Sequence, residues 1–231
     1  MKRSKKYLEA KSKVEKSKNY SLDEAVTIVK EVVYSKFDNT IDIFVQLNLK
    51  DKQKKESVKG TVVFPNKLGS DVKVAVLAEK ADQEKAKKAG ADFVGLDDLI
   101  KEIENGKSDF DVVIATPDVM AKIAKLGKYI GKKGLMPNPR NGTVTKDVEK
   151  AIASFKAGKS SYKMKEGGVF QYKIAKSSMT PDQIKQNLVE FMKSINSEVK
   201  KFGDGIYSKI SISPTMGPVI HLDLNSVKEK L

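Results

Sequence analysis

The sequence contains no cysteine, no tryptophan, one histidine and only two arginines, Arg3 and Arg140. Without cysteine the chain can form neither disulfides nor thiolate metal sites, which favours a reducing, cytoplasmic setting. The single histidine, His221, has no second histidine or cysteine to join it, so neither a metal site nor a histidine base is predicted. The longest apolar run, Val74–Ala78, is too short to cross a bilayer or to form a signal-peptide core. We therefore expect a soluble protein that is not exported and does not contact a membrane.

Positive charge is abundant, because 44 Lys+Arg outnumber 30 Asp+Glu and give a net charge of +14. Such a surface predicts a polyanionic partner, although a lysine-rich proteome would also produce it. Nearly all of these cations are lysines, which suit phosphate contact better than bidentate base readout. Residues 1–18 alone carry a net +6, which indicates either a basic arm or a solvated first helix.

The periodicity of apolar residues predicts two kinds of structure along the chain. Ser21 with Glu24 predicts a capped helix, and Ile41–Leu49 reads as a strand with one apolar face and only Phe44 as an apolar residue on the other. Residues 68–158 alternate strand and helix, as in a parallel α/β layer. Further elements are predicted in chain order: strand 58–64, strand 72–78, a helix capped by Asp82, strand 91–95, helix 97–104, strand 110–115, a helix through Met120–Ala124, an irregular loop from Gly127, helix 147–155, strands 160–164 and 169–175, and a helix capped by Thr180.

Charge also divides the chain, since residues 1–67 and 159–231 together hold +12 of the net +14. Each terminal segment alone would have a marginal core, whereas together they can form one antiparallel sheet with helices on its face. We expect a mixed α/β and α+β protein in which residues 68–158 are an inserted domain joined by a double hinge. Three consecutive modules would produce the same pattern of elements.

A β-hairpin is predicted for Ile206–Leu224 from apolar residues spaced two apart. The first arm places Ile206, Ser208, Ile210 and Ile212 on one face, and the second arm does the same with Ile220, Leu222 and Leu224. Pro214 and Pro218 stiffen the turn between the arms, and Gly217 is expected to adopt a positive φ. Met216 then stands at an apex away from any core, either as a tolerated surface residue or as part of a rigid contact surface.

The middle of the chain offers weaker motifs. Gly131–Gly134 matches the GxxG loop of KH domains, but Pro137 and Pro139 prevent the helix that follows it in that fold, so a simple basic loop is the other interpretation. No stretch completes a P-loop. An enzyme that acts on a nucleotide or RNA through the α/β domain is the alternative function, because that fold hosts many activities.

Six stretches in order carry a family likeness: Lys36–Thr40, Val58–Pro65, Gly90–Asp92, Ala115–Met120, Gly134–Pro139 and Thr215–Pro218. With them, essentially the whole chain resembles the family of ribosomal protein L one, the mobile-stalk protein of the large ribosomal subunit, in its bacterial form. The resemblance implies a discontinuous RNA-binding α+β domain, residues 1–67 and 159–231, and an inserted Rossmann-like α/β domain, residues 68–158.

The same resemblance implies a structural, non-enzymatic role in the cytoplasm, on the ribosome, without a cofactor. It implies binding to the stalk region of large-subunit rRNA, a part in release of tRNA from the exit site, and repression of the chain's own operon through its mRNA. The free protein is expected to be a monomer. The implied RNA-binding positions are Lys36, Phe37, Thr40, Ser211, Thr215, Met216 and Gly217, with Lys132, Lys133 and Arg140 as a secondary RNA-facing set. Lys132 and Lys133 stand in a loop where the family pattern leads us to expect more arginine.

Overall fold

The computed structural model describes residues 4–15, 18–49, 58–69, 72–106, 109–131, 134–203 and 205–228. The chain divides into two compact units, the first formed by Met1–Gly69 with Ser161–Leu231 and the second by Ser70–Ser160. In chain order the elements are α1 (Lys5–Ser12), α2 (Leu22–Glu31), β1 (Thr40–Leu47), β2 (Lys59–Val63), β3 (Val74–Leu77), α3 (Lys80–Lys88), β4 (Phe93–Gly95), α4 (Asp97–Glu104), β5 (Val112–Ala115), α5 (Met120–Ile123), α6 (Gly127–Ile130), α7 (Val148–Lys156), β6 (Lys159–Lys163), β7 (Val169–Lys176), α8 (Pro181–Val199), β8 (Tyr207–Pro214), β9 (Ile220–Leu222) and α9 (Leu224–Lys228). Short 3-10 turns occur at Pro117–Val119, Ala124–Leu126, Pro139–Asn141 and Lys200–Phe202.

A four-stranded antiparallel sheet in the order β7-β1-β8-β9 forms the centre of the first unit. Along β1, Ile41, Ile43 and Val45 are fully buried while the residues between them are half-buried. Because successive side chains of a strand point to opposite faces, the sheet has one apolar face and one polar face. Phe44 lies on the polar face, as the alternation predicts.

Helices α2 and α8 cover the apolar face of this sheet. Both begin at the predicted capping boxes, Ser21 with Glu24 and Thr180 with Gln183. Helix α8 contributes the completely buried side chains Ile184, Leu188, Phe191 and Ile195. Each of them stabilises the fold by roughly 2 to 5 kcal/mol, judged by the usual cost of truncating such a residue to alanine.

The amino-terminal segment contains a helix at residues 5–12. Of the two predicted alternatives, a basic arm and a first helix, the structure shows the helix there. Ser4 caps α1 by accepting a hydrogen bond from the backbone N–H of Tyr7 at 3.3 Å. Ala10 is the buried side chain of α1, while Lys5 and Lys6 are exposed and Lys11 is half-buried.

Strands β2 and β6 form a separate two-stranded sheet, so the prediction of a single antiparallel sheet is wrong. Gly60 leaves room for the ring of Tyr162, since a Cβ at Gly60 would lie 2.5 Å from the Tyr162 hydroxyl oxygen. Ser194 of α8 fixes the pair, because its hydroxyl contacts the Tyr162 hydroxyl at 2.9 Å and donates to the carbonyl of Thr61 at 2.9 Å. The pair therefore packs on α8 instead of extending the main sheet.

The predicted hairpin is wrong at both of its outer ends. Ser208 is exposed and does not share the buried face of Ile210, because the pairing with β1 shifts register between Gln46 and Leu47. Leu224 begins helix α9 instead of extending the second arm. The Asp223 carboxylate accepts from the backbone N–H groups of Asn225 and Ser226, each at 3.3 Å, and thereby caps the start of this helix.

The second unit contains a three-stranded parallel sheet in the order β4-β3-β5. Every residue of the central strand β3 is buried, as expected of a parallel strand covered on both faces. Helix α3 begins at Lys80, before the predicted cap Asp82, which instead lies in the first turn and accepts from Lys85 Nζ at 3.0 Å.

Helical turns run on through Gly127–Ile130, where an irregular loop was predicted to begin. The physical reason is that the buried residues Val119, Ile123, Leu126 and Ile130 continue at helical spacing. With one antiparallel and one parallel main sheet, the predicted mixed α/β class is confirmed.

Candidate nucleic-acid interface

The turn between β8 and β9 presents Met216 to solvent. Met216 is 70% exposed and has φ 65°, while the backbone N–H of Gly217 closes the turn on the carbonyl of Pro214 at 2.9 Å. The prediction that Gly217 takes the positive φ is therefore wrong, since the left-handed residue is Met216. A non-glycine side chain in this conformation indicates that the surrounding contacts impose it.

Glycine is required at position 217 for a different reason, namely the close approach of Pro214. A Cβ at Gly217 would lie 2.5 Å from Pro214 Cγ and 3.1 Å from Pro214 Cδ. Real Cβ atoms do not approach other carbons so closely, and the proline ring has little freedom to yield. The turn is thus compact, because the ring of Pro214 fills the space that a side chain at Gly217 would need.

Three hydrogen bonds anchor this turn to the start of β1 and to the end of the α2 segment. The backbone N–H and the hydroxyl of Thr215 both donate to the carbonyl of Thr40, each at 2.9 Å. The Tyr34 hydroxyl donates to the carbonyl of Met216 at 2.7 Å. Together these bonds hold Met216 in its strained conformation, which makes the turn a preorganised surface.

The loop before β1 carries a second exposed apolar side chain, Phe37, which is 52% exposed. Next to it, the Asp38 carboxylate accepts from the Ser177 hydroxyl at 2.9 Å and from the backbone N–H and hydroxyl of Ser178 at 3.0 and 3.1 Å. Burial alone would raise the pKa of Asp38, but these hydrogen bonds, with a smaller contribution from Lys176, lower it. The loop is therefore fixed to the β7–α8 turn, with Phe37 facing solvent.

The structure brings some of the predicted RNA-binding residues together directly. Thr40 contacts Thr215 through the bonds above and accepts from Lys176 Nζ at 3.1 Å, while Lys36 is exposed beside Phe37. Ser211 lies farther along β8, opposite Phe44, on the polar face of the sheet, and it is buried, unlike Met216 and Phe37. We name the seven predicted residues Lys36, Phe37, Thr40, Ser211, Thr215, Met216 and Gly217 the tip surface.

The secondary set belongs to the second unit. Lys132 and Lys133 lie outside the described residues, and Arg140 belongs to the 3-10 turn Pro139–Asn141. Sequence reasoning missed Tyr34, Ser177 and Ser178, which position the tip surface. No local pattern indicates them, because the Tyr34–Met216 bond joins residues 182 positions apart.

The second unit also has a cleft, where the alternative enzymatic function would be sought. It measures about 800 Å³ and lies beyond the carboxyl ends of β3 and β4, a common ligand position in α/β sheets. Its lining includes the carboxylates of Glu79, Asp97, Asp98 and Glu102. Lys87 also lines the cleft, but the four carboxylates outnumber it and would repel the phosphates of a nucleotide, so the cleft does not favour nucleotide chemistry.

Two further observations concern metals and membranes. Among the described residues, no three histidine, aspartate or glutamate side chains are grouped closely enough to hold a metal ion. In the same part of the chain, no helix has the length and apolar character needed to traverse a bilayer.

Comparison with known proteins decides the family. The sequence profile of the ribosomal protein L1p/L10e family matches residues 29–218. The chain belongs to this family. Relatives called large ribosomal subunit protein uL1 share 43% identity in Borrelia hermsii, 45% in Lactobacillus gasseri and 42% in Kosmotoga olearia. These alignments cover 95%, 96% and 99% of this chain and 97%, 97% and 99% of the relatives, respectively.

Family membership confirms the predicted resemblance. It also confirms the predicted non-enzymatic character and the predicted cytoplasmic, ribosomal location, because the family and its curated members are ribosomal proteins.

Proposed function

We propose that this chain is a structural constituent of the large ribosomal subunit that binds the stalk region of large-subunit rRNA through the tip surface. The single observation that supports it best is Met216, an exposed methionine held at positive φ by three hydrogen bonds, with Phe37 and Lys36 exposed in the loop before β1. The names of the relatives support the ribosomal part of the proposal.

The chemistry of the tip surface suits folded RNA. Met216 and Phe37 offer apolar faces to sugars and bases, Thr215 and Ser211 offer hydroxyls, and Lys36 neutralises phosphate. Because the turn is already in its contact conformation, little ordering entropy is lost on binding. The surrounding lysines add a sequence-independent attraction that weakens with salt.

We also propose that the chain consists of two domains. Residues 1–67 and 159–231 form the RNA-binding α+β domain, and residues 68–158 form the inserted Rossmann-like domain. The two compact units and the parallel β4-β3-β5 sheet support this arrangement. Assistance in releasing tRNA from the exit site, repression of the chain's own operon through its mRNA, and a monomeric free state are part of the same proposal.

One titration tests both the function and the domain proposal. Labelled stalk RNA is titrated with the full chain and with a chain in which a short glycine-serine linker joins Lys67 to Lys159. Both proteins are expected to fold and to bind within about tenfold of each other, since the tip surface belongs entirely to the retained segments. Affinity should fall steeply with salt yet exceed that for a plain RNA duplex at low salt.

An unfolded deletion chain would contradict the discontinuous domain. Equal affinity of the full chain for stalk RNA and for duplex at low salt would contradict the proposed recognition.

Replacing Tyr34 with phenylalanine removes the hydrogen bond to the Met216 carbonyl and keeps the ring. Stalk RNA binding is expected to weaken by roughly 1 kcal/mol, the usual worth of one such bond, because Met216 loses part of its restraint. Tyr207→Phe is the matched control, since it loses a hydroxyl contact with Asn196 at the other end of β8. If both variants weakened RNA binding equally, Tyr34 would have no special role in positioning the turn.

A further inference from the structure

The polar face of the four-stranded sheet extends away from the turn and is not used by the core. The side chains on it are Val169, Gln171 and Lys173 of β7, Asp42, Phe44 and Gln46 of β1, Lys209, Ser211 and Ser213 of β8, and His221 of β9. None of them belongs to the apolar cluster that α2 and α8 cover. Ser211 is buried, with 9% of its surface exposed, and the other side chains are half-buried or exposed, so a partner can reach most of this face.

Phe44 stands in the middle of this face. In the paired strands it lies opposite Gln171 on one side and Ser211 on the other, and His221 follows Ser211 in the same row. The ring is half-buried and lies outside the aromatic cluster formed by Phe64, Tyr162, Phe170, Tyr172 and Phe191. The ring is therefore outside the core, on the polar face of the sheet, where it offers a stacking surface to a base.

Charge on this face favours an anionic partner. Lys173 and Lys209 are exposed on it, and Lys165 reaches it by donating to Gln171 Oε1 at 2.6 Å. The one carboxylate of the face, Asp42, pairs across the strands with Lys173. Burial raises the pKa of Asp42, against the opposite effect of Lys173 and Lys165.

We propose that an unpaired nucleotide of RNA binds to this face, with its base stacked on the ring of Phe44. A central aromatic ring on an open four-stranded antiparallel sheet, with helices on the opposite face, is the arrangement on which RNA-recognition motifs stack bases. Lys173 and Lys209 flank the ring and meet the phosphates, while Gln171 supplies hydrogen-bonding groups beside the base. Ser211 belongs to both surfaces, so the nucleotide continues the RNA path that begins at Met216. The inference rests on the proposed function and adds a contact to it.

The absence of tryptophan in this chain allows a direct test. Phe44→Trp places the only indole of the protein on the polar face, and its fluorescence should be strongly quenched by stalk RNA because the indole stacks on a base. Val63→Trp is the matched control, since Val63 is 51% exposed on β2, outside this face. Its fluorescence should not respond. Unchanged emission of the Phe44→Trp protein at saturating RNA would overturn the proposal.

A second variant measures the contribution to affinity. Phe44→Leu keeps an apolar side chain and removes the π-face, so stalk RNA should bind roughly tenfold more weakly, the usual effect of losing one stacked base. The Phe44→Trp protein should retain wild-type affinity or exceed it. Melting temperatures are expected to stay close to wild type because Phe44 is outside the core.

Different results would contradict the nucleotide site on Phe44 and the proposed RNA-binding function. Normal binding by Phe44→Leu together with weakened binding by Met216→Ala would overturn the nucleotide site and leave the tip surface intact. A wild-type chain that does not distinguish stalk RNA from duplex would overturn the proposed function itself.

Discussion

Replacing Met216 with alanine is expected to weaken stalk RNA binding by roughly 1 to 3 kcal/mol, the range typical of truncating a central contact residue. The side chain is 70% exposed, and alanine has a similar preference at φ 65°, so the melting temperature should change by only about 1 to 2 °C. The net charge is unaltered, and the slope of log affinity against log salt should therefore equal that of the wild type. Equilibrium titrations at two salt concentrations and a thermal melt measure all three quantities.

Val63→Ala is the matched control for this variant, because it also truncates a half-exposed apolar side chain. It should leave both RNA affinity and stability near the wild-type values. A Met216→Ala protein that melted several degrees lower and bound RNA normally would show that Met216 is a structural residue.

Gly217→Ala is expected to have a larger effect, although it adds only one methyl group. The new Cβ would meet Pro214 Cγ at 2.5 Å, so the turn must move and carry Met216 away from its position. Steric strain of this kind costs roughly 1 to 3 kcal/mol, and displacement of the whole turn should reduce RNA affinity more than Met216→Ala does. The Gly217→Val protein should bind RNA more weakly than the Gly217→Ala protein, because the branched Cβ of valine is bulkier.

Two companion variants locate the cause of that loss. Gly127→Ala places a Cβ in open space within α6, and we expect no change in RNA affinity. In the double variant Gly217→Ala with Pro214→Ala the ring that creates the clash is removed, so part of the affinity should return. An unimproved double variant would mean that the glycine serves the approach of RNA and not the internal packing of the turn.

Elements whose signals are local could be predicted from the sequence. The capping boxes at Ser21 and Thr180 require only neighbouring residues, and the alternation along β1 fixes which face is buried. The separate pairing of β2 with β6 could not be predicted, because it depends on Gly60 meeting Tyr162, which is distant in the sequence. The same holds for the register shift that exposes Ser208.

The tip surface shows the same division. The apex position of Met216 follows from two short apolar arms and the prolines between them, all of which lie within one stretch. The positive φ was predicted for Gly217 but belongs to Met216. Glycine is the usual residue at positive φ, and no local pattern indicates the hydrogen bonds that hold Met216 there. Tyr34, Thr40 and Pro214 impose the conformation through contacts that only the folded chain creates.

Ultraviolet cross-linking of the full chain to large-subunit rRNA, followed by mass spectrometry of the linked peptides, tests the central claim most directly. The account predicts cross-links in the peptides that carry Phe37 and Met216, with the linked nucleotides in the stalk region. Met216→Ala is expected to reduce the cross-link in the peptide that carries residue 216 and to leave protein stability unchanged. Cross-links confined to residues 70–160, or spread over the rRNA without preference for the stalk, would contradict it.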